Sequence, residues 1–362
     1  MAVVSWLADS CYYGELPAGC RHCAEGAKLV VLVTGLCNTR CYYCPLSEKK
    51  RHKDVTYANE LLVKSRSDLI SEAKTISAEG SGLTGGDPMA KPRRTVDYIK
   101  YLKEHFGNKH HIHMYTVPDF EPTWLGKLAK AGLDEIRFHI PLSAWKRKSG
   151  EHLDLISTAL GIEPHMDVGV ELPALPGQFD ILAGLAERLD GLGVQFLNLN
   201  ELEFSETNWQ ALRKKGFDVK NDISAGVEGS EELGIKLVEY ADSSSFDMGV
   251  HYCSSSFKDA IQLRNRIMRR AEHTKKSYDI VTEEGMFIRG VIETSAPQKL
   301  ISELRARYKI PKKLIEYDRA KSRVELAAWI LEDIAADLED CECYIVEEFP
   351  TADRLEVERR KI

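Results

Sequence analysis

Short apolar runs recur along the chain, and between them lie longer stretches in which apolar residues return every three or four positions. A short β-branched run is typical of a buried strand, whereas a period of about 3.6 residues is typical of a helix. The predicted strands are residues 29–33, 82–84, 111–116, 135–140, 166–172 and 194–199. The predicted helices between them are residues 61–78, 95–106, 121–131, 151–160 and 179–192.

Strands that alternate with helices predict right-handed βαβ units around a parallel sheet, and therefore an α/β fold. After residue 204 the alternation weakens, with helices predicted at 207–215, 230–241 and 258–273 and a strand at 247–253. Further on, a hairpin (278–283 with 287–293), helices at 298–308 and 325–338 and a strand pair (343–349 with 355–359) predict a small α+β domain. The predicted segments are an irregular, cysteine-rich 1–27, an α/β domain at 28–205, a helical extension at 206–276 and a C-terminal domain at 277–362, with the boundary near Lys276.

Composition indicates a soluble globular enzyme. The 362 residues are 43% hydrophobic and 29% charged, and no apolar run approaches the roughly 18–20 residues of a membrane span. The first 16 residues lack the basic start and apolar core of a signal peptide, so we expect a cytoplasmic protein. In a reducing compartment the nine cysteines are metal ligands or buried residues rather than disulfides. The formal net charge of -7 argues against wholesale binding of nucleic acid.

Three cysteines directly follow the first predicted strand, with the spacing C-x3-C-x2-C: Cys37, Cys41 and Cys44. Each can ligate one corner of a [4Fe–4S] cubane, which normally takes four cysteines. This stretch offers no fourth cysteine, so one iron stays open for a ligand that is not protein. A zinc knuckle is the alternative, and it would need a fourth ligand such as His52.

The cysteine spacing, together with Tyr43 just before the last cysteine, resembles the signature of the radical SAM superfamily. The resemblance implies a partial (β/α)6 barrel and S-adenosylmethionine chelated to the open iron. It also implies an electron donor such as ferredoxin or flavodoxin, and a 5′-deoxyadenosyl radical that takes hydrogen from the substrate. Over most of the chain, and best at 19–59, the GGDP segment at 85–88, 251–266 and 349–358, the sequence is similar to archaeal-type proteins related to pyruvate formate-lyase activating enzyme.

The segment Gly85-Gly86-Asp87-Pro88 follows the second predicted strand. The same resemblance implies that Gly85, Gly86 and Asp87 line the methionine end of the cofactor, with Asp87 in place of the usual Glu. Glycine lets backbone carbonyls approach an ammonium group closely. Outside this context a GGDP sequence is a common turn.

Other polar residues lie at the ends of predicted strands. Arg137 shares one face of its strand with His139, and a buried arginine requires an anionic partner. That partner is either the cofactor carboxylate or a carboxylate of the barrel. Glu171 and Asn200 end later strands, where they either contact the ribose, adenine or substrate, or cap the turns that follow.

A second metal site is possible at the N-terminus. Cys20 and Cys23 form a C-x2-C element, Cys11 precedes them, and Cys253 ends a predicted strand near the closing edge of the barrel. These four cysteines could bind an auxiliary cluster, mononuclear iron or zinc. Cys341 and Cys343 are the other candidates for the fourth ligand. The alternative is that these cysteines bind no metal and are simply buried free thiols.

Basic runs follow several predicted strands, at 49–53 (KKRHK), 91–94 (KPRR) and 146–148 (KRK). On a barrel these loops share the active-site face, and such a basic mouth suits RNA, a phosphorylated metabolite or an acidic protein surface. Basic loops are also often merely solvated. The predicted helix after Cys253 adds Lys258, Arg264, Arg266, Arg269 and Arg270.

We therefore expect a cytoplasmic enzyme that cleaves S-adenosylmethionine reductively and takes hydrogen from a bulky, anionic substrate, in RNA or peptide modification. One alternative is a glycyl-radical enzyme activase. The non-enzymatic alternative is a binding module stabilised by zinc or iron.

Overall fold

The computed structural model describes residues 2–147, 150–221, 224–338 and 341–362. The chain divides into two compact units, Met1–Leu263 and Arg264–Ile362. The boundary predicted near Lys276 lies further along the chain, inside the second unit. In the described part of the chain, no helix is long and apolar enough to cross a membrane.

The described residues of the first unit form eleven strands and eight α-helices. Its strands are β1 (Val4–Ser5), β2 (Cys11–Tyr13), β3 (Lys28–Thr34), β4 (Tyr57–Ala58), β5 (Leu61–Leu62), β6 (Gly80–Gly85), β7 (His111–Thr116), β8 (Glu135–Phe138), β9 (Asp167–Ala174), β10 (Phe196–Glu201) and β11 (Gly249–Cys253). Its helices are α1 (Ala18–Ala24), α2 (Arg66–Thr75), α3 (Pro92–Phe106), α4 (Thr123–Ala131), α5 (Glu151–Leu160), α6 (Phe179–Leu192), α7 (Trp209–Lys214) and α8 (Ser230–Ser243). A π-helix, Phe257–Leu263, ends the unit.

One sheet contains all eleven strands, in the order β1-β2-β11-β10-β9-β8-β7-β6-β3-β4-β5. Its seven central strands are parallel and lie side by side in chain order: β3, β6, β7, β8, β9, β10 and β11. The short outer strands pair antiparallel, and within the described residues the two ends of the sheet are not paired with each other. The predicted α/β fold is confirmed, with the sheet open as a partial barrel requires.

The two faces of the central strands differ in chemistry because side chains alternate along a strand. The outer face is apolar and packs on the helices, as Leu29, Ile112 and Phe138 do in the main core. The inner face is largely polar, although Val30 and Phe196 also lie on it. It carries Lys28, Gly82, His113, Tyr115, Glu135, Arg137, Glu171, Asn198, Asn200, His251 and Cys253. Functional groups therefore converge inside the curve of the sheet.

The prediction that residues 1–27 are irregular is wrong, because they contribute β1, β2 and α1. Helix α1 packs on β3, β6 and β7, and two glycines make room for it and for the side chains around it. A Cβ at Gly19 would lie 2.6 Å from an Arg137 nitrogen, and one at Gly82 would lie 2.6 Å from Nε2 of His113. Tertiary packing thus stabilises a helix that is too short to form alone.

In its described residues, the second unit is a six-stranded antiparallel sheet with three α-helices. Its strands are β12 (Ile280–Val281), β13 (Phe287–Glu293), β14 (Ile315–Asp318), β15 (Arg323–Leu326), β16 (Glu342–Glu348) and β17 (Glu356–Lys361), and its helices are α9 (Arg264–Thr274), α10 (Pro297–Tyr308) and α11 (Ala328–Ile334). The predicted hairpin is present as β12 and β13. The helix predicted at 325–338 is wrong at its start, because β15 extends to Leu326 and α11 begins only at Ala328.

Buried charges tie the strands of this second sheet together. Glu325 on β15 is fully buried and accepts hydrogen bonds from Arg289 (2.9 Å) and Arg323 (2.9 Å), and it also pairs with Arg354. These partners hold the pKa of Glu325 at about 2, although burial alone would raise it. The charges are compensated, as buried ions must be.

Candidate active site

A cavity of about 740 Å³ lies on the inner face of the first unit's sheet. Six of the nine cysteines line it: Cys20, Cys23, Cys37, Cys41, Cys44 and Cys253. Its walls also include the loops at the carboxyl ends of β3, β6 and β8, where barrel enzymes place their chemistry.

Cys37, Cys41 and Cys44 are held in a compact loop after β3. The Thr39 hydroxyl lies 3.0 Å from Sγ of Cys37 and 3.7 Å from Sγ of Cys41. The backbone N–H of Cys44 donates to the carbonyl of Cys41 at 3.2 Å. At the loop's base, Gly35 exchanges backbone hydrogen bonds with His52 and Lys53. The loop thus presents all three thiols to the cavity.

Tyr43 and His139 support this loop from the β8 side. The Tyr43 hydroxyl lies 3.1 Å from Nε2 of His139, and the same nitrogen lies 3.8 Å from Sγ of Cys41. Burial raises the pKa of the Cys41 thiol, but hydrogen bonds with His139, Thr39 and Tyr43 outweigh it and bring the pKa down to about 7. A lower thiol pKa favours the thiolate, which is the form that ligates a metal.

Gly85 and Gly86 bring the second loop against the first. The N–H of Gly86 donates to the carbonyl of Thr34 at 2.8 Å, and Gly85 has a φ of +147°. A Cβ at Gly85 would lie 2.2 Å from the Thr34 oxygen, and one at Gly86 would lie 2.3 Å from the Leu36 oxygen. Both positions therefore require glycine, and both line the cavity.

Asp87 lies behind this wall and is not among the residues that line the cavity. Its carboxylate accepts hydrogen bonds from the Met89 N–H (2.9 Å) and the Thr116 hydroxyl (2.7 Å). Burial raises its pKa. In this structure Asp87 shapes the turn that carries the two glycines.

Arg137, Glu171 and Asn200 meet in one network on the cavity floor. Arg137 donates to Glu135 at 2.5 Å and to Glu171 at 2.8 Å, and Asn200 donates to Glu171 at 2.8 Å. Of the two kinds of partner predicted for Arg137, the barrel carboxylates Glu135 and Glu171 are the ones that it contacts in this structure. Burial raises the pKa of Glu171, but Arg137 and two amides outweigh it and lower that pKa.

Cys20, Cys23 and Cys253, called here the inner cysteine group, line the same cavity. Burial raises the pKa of the Cys20 thiol to about 11. Cys11 is not brought to this group. It lies opposite Tyr252 on the neighbouring strand, and Tyr252 packs on Gly234 of α8, so Cys11 shares the outer face.

The structure also brings to the candidate site two residues that sequence reasoning did not single out. Gln262 donates to Sγ of Cys23 at 2.8 Å, and the buried amide of Asn208 donates to the carbonyl of Tyr43 at 3.1 Å. Neither residue belongs to a motif. The only available signal was helical spacing, which places Lys258 and Gln262 on one side of a helix and both on the cavity wall.

The basic runs have different surroundings. Lys50, Arg51 and His52 line the cavity. In the second run Lys91 and Arg94 pair with Asp54, at 3.0 and 2.6 Å. In the third run Lys146 and Arg147 are exposed, and Lys148 lies outside the described residues.

The residues around the cluster loop fit the predicted cofactors. Its three thiols all line the cavity, and a cubane takes each thiolate on a different iron. Gly85 and Gly86 leave bare backbone beside the loop, where a ligand can approach.

Comparison with known proteins decides the family. A family model of the radical SAM superfamily matches residues 31–168. The chain is also 40% identical over 358 residues to the protein of Methanocaldococcus jannaschii named "Putative glycyl-radical enzyme activating enzyme", an alignment that covers 96% of this chain and 93% of the relative. The chain belongs to the radical SAM superfamily. The predicted family and enzyme class are thereby confirmed.

Other similarities are more local. Over 113 residues, 30% of this radical SAM enzyme and 33% of the relative, the chain is 28% identical to GTP 3′,8-cyclase of Alkaliphilus oremlandii. Residues 285–362 match a domain of unknown function, DUF8061. A crystal structure of Streptococcus suis SuiB bound to S-adenosylmethionine has a TM-score of 0.43 and 9% identity, covering 63% of this chain and 50% of SuiB. A likeness that slight supports no conclusion about function.

The radical SAM cofactors are a [4Fe–4S] cluster and S-adenosylmethionine, which when bound supply one-electron cleavage of the sulfonium and the power to abstract hydrogen. The chain's own residues provide position and exclusion of water. Cys37, Cys41 and Cys44 would ligate the cluster, and Gly85 and Gly86 would leave the backbone accessible to S-adenosylmethionine.

Proposed function

We propose that this radical SAM enzyme abstracts a hydrogen atom from a protein substrate, as a glycyl-radical enzyme activase does. The observation that carries the proposal is the similarity over nearly the whole chain to a relative with that name. Similarity of this extent includes the cavity, the cluster loop and the second unit, and is not confined to the cofactor motif.

The size of the cavity supports a substrate that inserts only a small part of itself. Its volume of about 740 Å³ lies within the roughly 300–1,000 Å³ of small-molecule sites. S-adenosylmethionine must occupy part of that space. A macromolecule would therefore insert only a single residue into the site. A glycine in an extended loop suits this space because it has no side chain to accommodate.

The cavity wall also supports an acidic partner. Lys50 and Arg51 line the cavity next to the cluster loop, so a carboxylate-rich loop could be attracted to this entrance. The cluster needs one electron per turnover, which we propose a ferredoxin or flavodoxin delivers.

A labelling experiment tests the substrate class. Source cells are grown with deuterated glycine, and their extract is separated into protein and RNA fractions. Each fraction is then given to the reduced, unlabelled enzyme with S-adenosylmethionine. We expect deuterium in 5′-deoxyadenosine only with the protein fraction, because hydrogen is taken from a glycine Cα; absence of label there would refute the proposal.

RNA is the second candidate substrate. The basic residues Lys50, Arg51 and His52 at the cavity favour it, because they could bind phosphate groups. Cells grown with deuterated ribose provide the matched experiment. Label that reaches 5′-deoxyadenosine from the RNA fraction, and not from protein, would assign the enzyme to RNA modification. Cys41→Ala enzyme serves as the control in both arms, because it should transfer no label.

A further inference from the structure

The inner cysteine group is assembled from distant parts of the chain. Cys20 and Cys23 lie on α1, and Cys253 ends β11 directly opposite Asn200 of β10. The packing of α1 on the inner face of the sheet brings these side chains into the cavity. Structural cysteines usually pack in apolar cores, whereas the surroundings of this group are polar.

Nitrogen donors point at two of the sulfurs. Sγ of Cys20 accepts from the Asn198 amide at 3.3 Å and from the Arg137 guanidinium at 3.5 Å. Sγ of Cys23 accepts from the Gln262 amide at 2.8 Å. A neutral thiol is a weak acceptor, so three N–H donors suit sulfurs that carry negative charge.

A buried cation gives an independent indication of an anionic ligand. Lys28 is only 6% exposed, and its Nζ donates to the Tyr115 hydroxyl at 3.4 Å and contacts the Cys23 thiol. Among the described residues, no carboxylate lies within ion-pair distance of it. A buried ammonium without a counter-ion is costly, so the site calls for negative charge beside Cys23.

Three thiolates on two separate elements, α1 and β11, suit a cubane, which takes each thiolate on a different iron.

We propose that Cys20, Cys23 and Cys253 bind a second [4Fe–4S] cluster in the same cavity as the first. Lys28 lies beside it as a counter-ion, and Arg137, Asn198 and Gln262 donate hydrogen bonds to its thiolates. Three thiolates serve four irons, so the fourth iron would take a ligand that is not one of these cysteines. Neither the family match nor the relatives assign such a site.

The most direct test removes the first cluster and leaves the second. We expect the anaerobically reconstituted wild type to contain about eight irons and eight sulfides, and the triple variant Cys37→Ala/Cys41→Ala/Cys44→Ala to retain about four of each. A wild type with about four irons, or a triple variant with no iron or with zinc and no sulfide, would overturn the proposal.

The reciprocal variant tests the ligands. Cys20→Ser/Cys23→Ser should lose about half of the iron while keeping an EPR signal that S-adenosylmethionine perturbs. Cys11→Ser is the matched control from the same segment, and should keep all of the iron because Cys11 faces away from the cavity. Equal loss in both variants would contradict the assignment, and the triple variant decides the question if the serine variants fail to fold.

Discussion

At the scale of residues, Asp87 shows how a carboxylate can act on a site that it does not line. The hydrogen-bond donors to its carboxylate are the Met89 N–H in the turn after β6, and the Thr116 hydroxyl and Val117 backbone N–H at the end of β7. This makes Asp87 a positioning residue. The alternative is that the charged carboxylate of Asp87 contacts the cofactor directly. The two roles predict different results when Asp87 is replaced by Asn.

Asp87→Asn should bind S-adenosylmethionine about as well as the wild type, because the hydrogen bonds from Met89 and Thr116 reach the same oxygen, which an amide keeps. Asp87→Ala leaves these buried donors unpaired, so we expect it to lose about 1–3 kcal/mol of stability as well as affinity. Calorimetric titration and thermal unfolding measure the two effects. Equal loss of affinity in both variants would indicate that the carboxylate charge contacts the cofactor.

Glu325 makes the second unit sensitive to acid. Its pKa in the folded protein is about 2, below its ordinary value of 4.5, so its contribution is fully present above pH 4.5 and is lost as the pH falls from 4.5 towards 2. A shift of this size corresponds to ~3 kcal/mol.

We expect Glu325→Gln to be less stable than the wild type at neutral pH and to lose less stability below pH 4.5. Hydrogen exchange of the β13 and β15 amides in the full chain, followed by mass spectrometry, reports on this unit. The parallel variant Glu303→Gln, on the exposed side of α10, should leave the pH dependence unchanged. An identical acid response in Glu325→Gln and the wild type would refute the assignment.

At the scale of elements, periodicity alone predicted the longer helices and the central strands. Residues 111–116, 151–160 and 179–192 were predicted with the bounds that the structure has. Helix α1 was missed because it is short, follows Pro17 and depends on tertiary contacts. Strand β15 was missed because two of its residues, Arg323 and Glu325, are charged. Both are buried because ion pairs neutralise them, and a sequence pattern does not indicate such pairs.

Gly86→Ala should push the β6 loop away from the cluster loop, because the added Cβ would lie 2.3 Å from the Leu36 oxygen. A displacement near 1 Å costs about 100-fold in rate, so we expect a loss of that order in cleavage of S-adenosylmethionine. Gly126→Ala in α4 is the control, because nothing lies within 4 Å of the added Cβ. Comparable rates for the two variants would show that the close approach has no role.

At the scale of the whole molecule, the candidate site was predictable as far as its residues are contiguous. Cys37, Cys41 and Cys44 form one local motif, so the sequence alone predicts them as cluster ligands. The inner cysteine group joins α1 to β11, and the sequence pattern grouped Cys11 with it because the pattern does not show which face of β2 carries that side chain. That outcome depends on the register of β2 on β11, which sequence alone does not specify.

We infer that Cys37, Cys41 and Cys44 build the centre at which S-adenosylmethionine is cleaved. Formation of 5′-deoxyadenosine under anaerobic reduction with dithionite is measured for wild-type and Cys41→Ala enzyme at equal protein concentration. We predict steady formation of 5′-deoxyadenosine by the wild type and none above background by the variant. Formation at the same rate by Cys41→Ala would contradict the account.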